Sequence, residues 1–238
     1  MSEQQVKSRE RVTAHGEVFT AAREVNAMLD LVKNETERLE SLFLEPACGD
    51  GNFLAEILRR KLAVALRESI PPRRKKPAPE AYEFKSLLAL MSIYGVELLE
   101  DNVTACRERL YGIWGTEYAK ACNRPPSKDC ATVAHFVLER NIICGNALTM
   151  KNDNGGPLVF SHWGKSLSGR IKRTDWTFAE ILEEREKEQK IIPDAIPLKN
   201  GSNALPPNGL FDSPSEGNRV AQFPPVYYLQ LPLAKENA

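Results

Sequence analysis

The chain has 238 residues, of which 42% are hydrophobic and 27% charged, an ordinary balance for a globular protein with one substantial core. Lysine plus arginine and aspartate plus glutamate are equal at 32 each, so no overall positive field exists and any nucleic-acid contact has to come from a local patch or a partner. No apolar run is long enough to span a bilayer and the first residues lack the apolar centre of a signal peptide, which makes the cytoplasm the expected location, with no membrane association.

In chain order, Val18 to Val32 reads as a helix with Val25, Met28, Leu29 and Val32 at helical spacing, after the loop "HGEVFT". Leu42 to Leu44 is a short strand candidate. A turn with two glycines follows, and then a helix from Asn52 to Arg67 that gathers Phe53, Leu54, Ile57, Leu58 and Leu62 on one side. "SIPPRRKKPAPE", Ser69 to Glu80, suits an exposed excursion; it reads as a solvated loop or as a basic loop on DNA phosphates. A helix from Ala81 to Met91, a strand from Ile93 to Leu98, and a helix capped by Asp101 and running to about Ala119 come next. "ATVAHFVLE" is helical in pattern and Asn141 to Gly145 strand-like. This alternation predicts an α/β fold, a doubly wound, mostly parallel sheet with helices on both faces, over residues 1–150.

Beyond Met150, "PLVFSHW" predicts one strand and "TFAEILEEREKEQ" one helix, an extension over residues 151–190. "SHWGKSLSGRIKRTDW" reads as an exposed hairpin, or as a place where its cations with Trp163 and Trp176 touch nucleic acid. From Ile191 the chain carries eight of its sixteen prolines, so residues 191–238 are expected to be a loose tail, with "FPPVYYLQLPL" apolar enough to dock. The five cysteines, Cys48, Cys106, Cys122, Cys130 and Cys144, show no repeating spacing and read as reduced thiols. Cys122, Cys130 and His135 fit no zinc spacing, and no metal is expected.

The chemistry concentrates in "FLEPACGDGNF", Phe43 to Phe53. In a doubly wound sheet, ligands bind beyond the carboxyl ends of the strands, where this turn lies. A P-loop needs Gly-Lys-Ser/Thr after its glycines, but Asn52 and Phe53 stand there. A dinucleotide turn needs a third glycine where Leu54 sits, and Glu45 and Asp50 would repel a pyrophosphate. S-adenosylmethionine carries a sulfonium and an ammonium instead, and carboxylates around a close-approach glycine turn suit it by charge and by shape. Glu97, ending the next strand, is placed to accept from both ribose hydroxyls.

These stretches resemble the N6-adenine DNA methyltransferases of restriction-modification systems, in the arrangement where cofactor binding precedes catalysis. The resemblance covers Arg11 to Met150. Their opening motif, G-x-x-x-T-P, is matched at Gly16 and Thr20, with Ala21 replacing proline. Their cofactor motif, D/E-P-A-C-G-x-G-x-F, is met in full from Glu45 to Phe53, and "GNAL" stands where Gly-Asp-Ala/Phe-Leu is common. The resemblance implies that S-adenosyl-L-methionine is held by Thr20, Glu45, Ala47, Cys48, Gly49, Gly51, Phe53, Glu97, Asn146 and Ala147. Asn146 would accept from the cofactor's adenine amine through its side-chain oxygen.

The acceptor motif of that family, Asn/Asp-Pro-Pro-Tyr/Phe, which holds a flipped-out adenine, is not found. "NRPPS" precedes the proper strand, "LPPN" has no aromatic residue after it, and "FPPVYY" has Phe223 where an amide or acid belongs and reads as a packing segment. No catalytic residue is therefore assigned. The resemblance implies an adenine-N6 DNA methyltransferase or its cofactor-binding subunit, acting on DNA with a partner that carries the acceptor loop and target recognition. A catalytically inactive, cofactor-sensing regulatory subunit of a restriction or defence complex is the alternative, and a small-molecule methyltransferase a third reading.

Overall fold

The computed structural model of the protein describes residues 20–183 and 219–236. Gly16, the stretch 184–218 and the proline pair of "LPPN" lie outside the described residues. Helix α1 (Ala22–Leu31) buries Val25 and Leu29 and leads into a single turn, α2 (Lys33–Thr36). Strand β1 (Phe43–Glu45) is followed by the glycine turn and by α3 (Asn52–Glu68), whose buried stripe runs from Leu54 through Ile57, Leu58 and Leu62 to Ala65, the periodicity of one helix face.

Within that stripe Lys61 is wholly buried. Its ammonium donates to the carbonyls of Arg38, Leu39 and Ser41 at 2.6, 3.4 and 2.6 Å, which fastens the loop entering β1 onto α3. Burial pulls its pKa down to about 7.

Proline is tolerated at the start of α4 (Pro79–Met91), where a missing N–H costs nothing. Strand β2 (Ile93–Glu97) is buried except at Glu97. Helix α5 (Glu100–Cys122) starts one residue before Asp101; its N-cap is Leu99, so Asp101 lies in the first turn, where its charge complements the positive end of the helix dipole. Ser127 does cap α6 (Lys128–Asn141), its Oγ accepting from the Cys130 amide at 3.2 Å. Strand β3 (Ile142–Cys144) completes a three-stranded parallel sheet of order β1-β2-β3, with Phe43 opposite Ile93 and Gly95 opposite Ile142.

The predicted strand "PLVFSHW" does not extend that sheet. It forms β4 (Val159–Lys165), which pairs antiparallel with β5 (Arg170–Thr177); β6 (Ala221–Gln222) and β7 (Val226–Tyr227) then add to β5. A helix occupies 178–183 of the described residues. The hairpin lies against the parallel sheet. Tyr94 donates from its hydroxyl to the Ser161 carbonyl at 3.0 Å and meets Phe160 edge-on at 5.6 Å, while Gly95, on the opposite face, looks towards Cys48 and Leu54 of the α3 side.

Trp163 and Trp176 are buried, not exposed, which removes them as nucleic-acid contacts. Trp163 donates to Asn141 Oδ1 at 2.9 Å, and the Asn141 amide in turn donates to the carbonyls of Leu90 and Ile93.

The described end of the tail, residues 219–236, packs on the core. Phe223 is buried with the Arg173 guanidinium 4.0 Å above its ring. In the 3-10 helix Tyr228–Leu233, Tyr228 and Leu231 are buried, and Tyr228 donates to Glu83 Oε1 at 2.8 Å while Tyr118 donates to Oε2 at 2.5 Å. One hydrophobic cluster thus runs from Val25 through both sheets to Leu231, so the hairpin and the docked segment share the core of the parallel sheet. No described helix is long and apolar enough to cross a membrane.

Candidate functional site

The ends of β1 and β2 meet at the glycine turn, and the end of β3 adjoins that of β2. The Cys48 amide donates to the Val96 carbonyl at 3.0 Å, carrying β1's alignment with β2 into the turn, and the Gly145 amide donates to the Glu97 carbonyl at 2.9 Å, tying the end of β3 to the end of β2. Gly49 and Gly51 both take positive φ, 54° and 89°. A side chain at Gly51 would put its Cβ 2.6 Å from Cys106 Sγ on α5, so glycine is required there by conformation and by space.

The carboxylate of Glu97 is built into this turn. Its Oε2 accepts from the Gly49 amide at 2.9 Å, and its Oε1 accepts from the Leu99 amide at 3.0 Å and from Asn102 Nδ2 at 3.4 Å. A carboxylate offers about four acceptor sites, so these bonds leave room for one ligand hydroxyl rather than the expected two.

Glu45 is half-buried at the end of β1, and burial raises its pKa even though the Ala47 amide donates to it at 3.4 Å. Ala47 and Cys48 form the turn between these acids. A hydrogen bond with Cys106, together with burial, holds the Cys48 thiol protonated, so it serves as filling beneath the turn and not as a nucleophile. Phe53, partly buried in the first turn of α3, packs against the core.

Asp50 does not contribute a free negative charge. Arg109 of α5 grips it with both ends of its guanidinium, Nη2 to Oδ2 at 2.7 Å and Nη1 to Oδ1 at 3.2 Å, and also reaches Asn52 Oδ1 at 2.5 Å. Asn52 Nδ2 donates to the Thr20 carbonyl at 3.4 Å, which brings the described end of the opening segment to the start of α3. Thr20 thus lies beside the turn.

Asn146 departs from its expected role. Its side-chain oxygen accepts from the Leu148 and Thr149 amides at 2.9 and 3.1 Å, closing a local turn after β3 and using both lone pairs. Only its NH2 remains to meet a ligand. Ala147 is partly buried behind it.

Two exposed apolar side chains follow the strand-end residues, Leu98 at 46% exposure directly after Glu97 and Leu148, the last residue of "GNAL", at 92% two residues after Asn146. Their sequence signal is adjacency to the strand-end residues. Arg109 has no such signal, because its partner Asp50 lies 59 residues away.

The basic loop is not part of this rim. The 17 residues of α3 span about 25 Å, so residues 70–78 lie at the far end of that helix from the glycine turn. Likewise Asn123, Pro125 and Pro126 follow the 23-residue α5, about 35 Å long, and sit remote from the strand ends.

Two carboxylates at neighbouring strand ends, a backbone bend without lysine and two exposed apolar side chains thus lie at the carboxyl edge of the parallel sheet. Among the described residues no three metal-capable side chains gather. The chain matches no family model, no curated protein and no solved structure.

Proposed function

We propose that this chain binds S-adenosyl-L-methionine at the glycine turn and serves as the donor-binding component of an adenine-N6 DNA methyltransferase. The observation that carries the reading is the Glu97 carboxylate held on the Gly49 amide beside Glu45, an acidic rim with Asp50 already neutralised by Arg109. Such a rim favours a sulfonium and an ammonium over a polyphosphate. In this reading Glu97 takes one ribose hydroxyl, Leu98 and Leu148 flank the adenine, and the three parallel strands are the donor-binding half of a doubly wound sheet.

The acceptor half would come from a partner. Among the described residues β1 has no second neighbour, and Leu44, opposite Tyr94 in the parallel ladder, turns its N–H and C=O away from β2. A strand added along that edge would deliver the loop after it beside Glu45. The alternative, a cofactor-sensing regulatory subunit without chemistry, is favoured by one observation: "FPPVYY", the proline pair with aromatic residues, is consumed in packing, with Phe223 and Tyr228 both buried.

The test is calorimetric titration of the full chain with S-adenosylmethionine, ATP and NAD. Binding of the first alone supports the reading; tight binding of ATP or NAD with none of the first overturns it. Methyl transfer to an adenine-containing duplex, assayed with the chain alone and with the product of its neighbouring gene, then separates a catalytic component from a sensor.

A further inference from the structure

We infer that Arg109 is a positioning residue of the donor site and that, through Asp50, it sets how strongly the site distinguishes a cationic donor from the neutral thioether left after transfer. The inference rests on the donor-binding reading above and adds a residue and a selectivity to it. Arg109 stands three residues after Cys106, so both face the same way from α5. Cys106 Sγ is the floor beneath Gly51, and Arg109 is the latch over the two residues that flank it, with two bonds to Asp50 and one to Asn52.

The Asn52 side chain then passes the constraint to the Thr20 carbonyl, so one guanidinium ties α5, the turn and the segment before α1. The Asp50 and Arg109 side chains are 15% and 36% exposed, so the pair is screened less than a surface ion pair. A planar guanidinium with two parallel bonds fixes orientation in a way that a lysine ammonium cannot.

The electrostatic consequence is specific. With the latch in place Asp50 adds no net charge, and the site's attraction for a sulfonium comes from Glu45 and Glu97. Without it, the bare Asp50 carboxylate sits inside the turn. The turn loses its support, so donor and product both bind more weakly, yet the extra negative charge shifts the preference towards the charged one. A structural residue alone would lower both affinities and leave their ratio untouched.

The experiment is calorimetry of the full chain with S-adenosylmethionine and S-adenosylhomocysteine. For Arg109→Leu the expected result is about a tenfold loss of affinity for both ligands, with the donor-to-product affinity ratio raised about three- to tenfold. Arg109→Lys should fall between it and the unaltered protein, and Arg109→Leu combined with Asp50→Asn should return the ratio to its original value while affinity stays low.

Asp50→Asn alone leaves Arg109 unbalanced and should lower the ratio. That variant decides the matter if Arg109→Leu does not fold by circular dichroism. A ratio unmoved in Arg109→Leu, or in Asp50→Asn where the first does not fold, overturns the inference while leaving donor binding intact. Unaltered protein that binds neither ligand overturns the donor reading itself, and this inference with it.

Discussion

The Gly49 amide donates to Glu97 Oε2 at 2.9 Å across 48 residues of sequence, so the acid that ends β2 also shapes the turn that ends β1. Glu97→Ala therefore removes a charged acceptor from two backbone amides at once. Urea unfolding should show a loss of about 2–3 kcal/mol, and calorimetry a drop of at least about tenfold in S-adenosylmethionine affinity, since ribose contact and turn support are lost together. Unchanged affinity in a folded variant would place the ligand elsewhere.

Gly51 and Gly95 are crowded for different reasons. A Cβ at Gly51 meets Cys106 Sγ at 2.6 Å and the residue has φ 89°, whereas a Cβ at Gly95 meets Cys48 Sγ at 2.8 Å and Leu54 Cδ1 at 3.0 Å without a left-handed backbone. Both alanine variants should lose about 1–3 kcal/mol in thermal or urea unfolding. Adding Cys48→Ala to Gly95→Ala should restore part of the loss, because Leu54 Cδ1 at 3.0 Å and the Cβ of residue 48 at 3.1 Å remain, while Cys106→Ala added to Gly51→Ala should restore only the steric part.

Lys61 makes stability depend on alkaline pH. Its folded pKa of about 7 lies below the ordinary 10.5, so between those values the unfolded chain binds more protons than the folded one. Unfolding free energy should accordingly rise as pH climbs from about 7 towards 10.5, and the contribution should be absent below that window. Lys61→Met, which orphans the carbonyls of Arg38, Leu39 and Ser41, should cost about 2–4 kcal/mol at pH 7 and flatten the alkaline slope. A slope that survives in the variant would assign it to another group.

Glu83 is buried between two tyrosine hydroxyls, one from α5 and one from the docked C-terminal segment. Tyr118→Phe and Tyr228→Phe should each destabilise by about 1–2 kcal/mol. The double variant should lose more than the sum, because Glu83 then has neither hydroxyl. Additive losses below about 0.5 kcal/mol in urea unfolding would mean that the carboxylate does not depend on this pair.

The sequence by itself determined the local elements. The apolar spacing from Leu54 to Leu62 marks α3, the short apolar runs at Phe43, Ile93 and Ile142 mark the three parallel strands, and two glycines between an acid and a helix mark the turn, because period and turn chemistry are properties of neighbouring residues. Glu45 and Glu97 were legible as strand-end acids for the same reason.

Tertiary structure alone decided what those residues touch. "PLVFSHW" has the composition of a strand in either sheet, and only its pairing with β5 and its packing on Tyr94 make it antiparallel. Asp50 reads as a free acid until Arg109, 59 residues away, neutralises it, and Asn146 reads as a ligand acceptor until its oxygen closes its own turn. Trp163 reads as a surface aromatic until Asn141 receives its N–H in the core. Charge balance and hydrogen-bond saturation depend on partners brought together by the fold, and no window of sequence contains them.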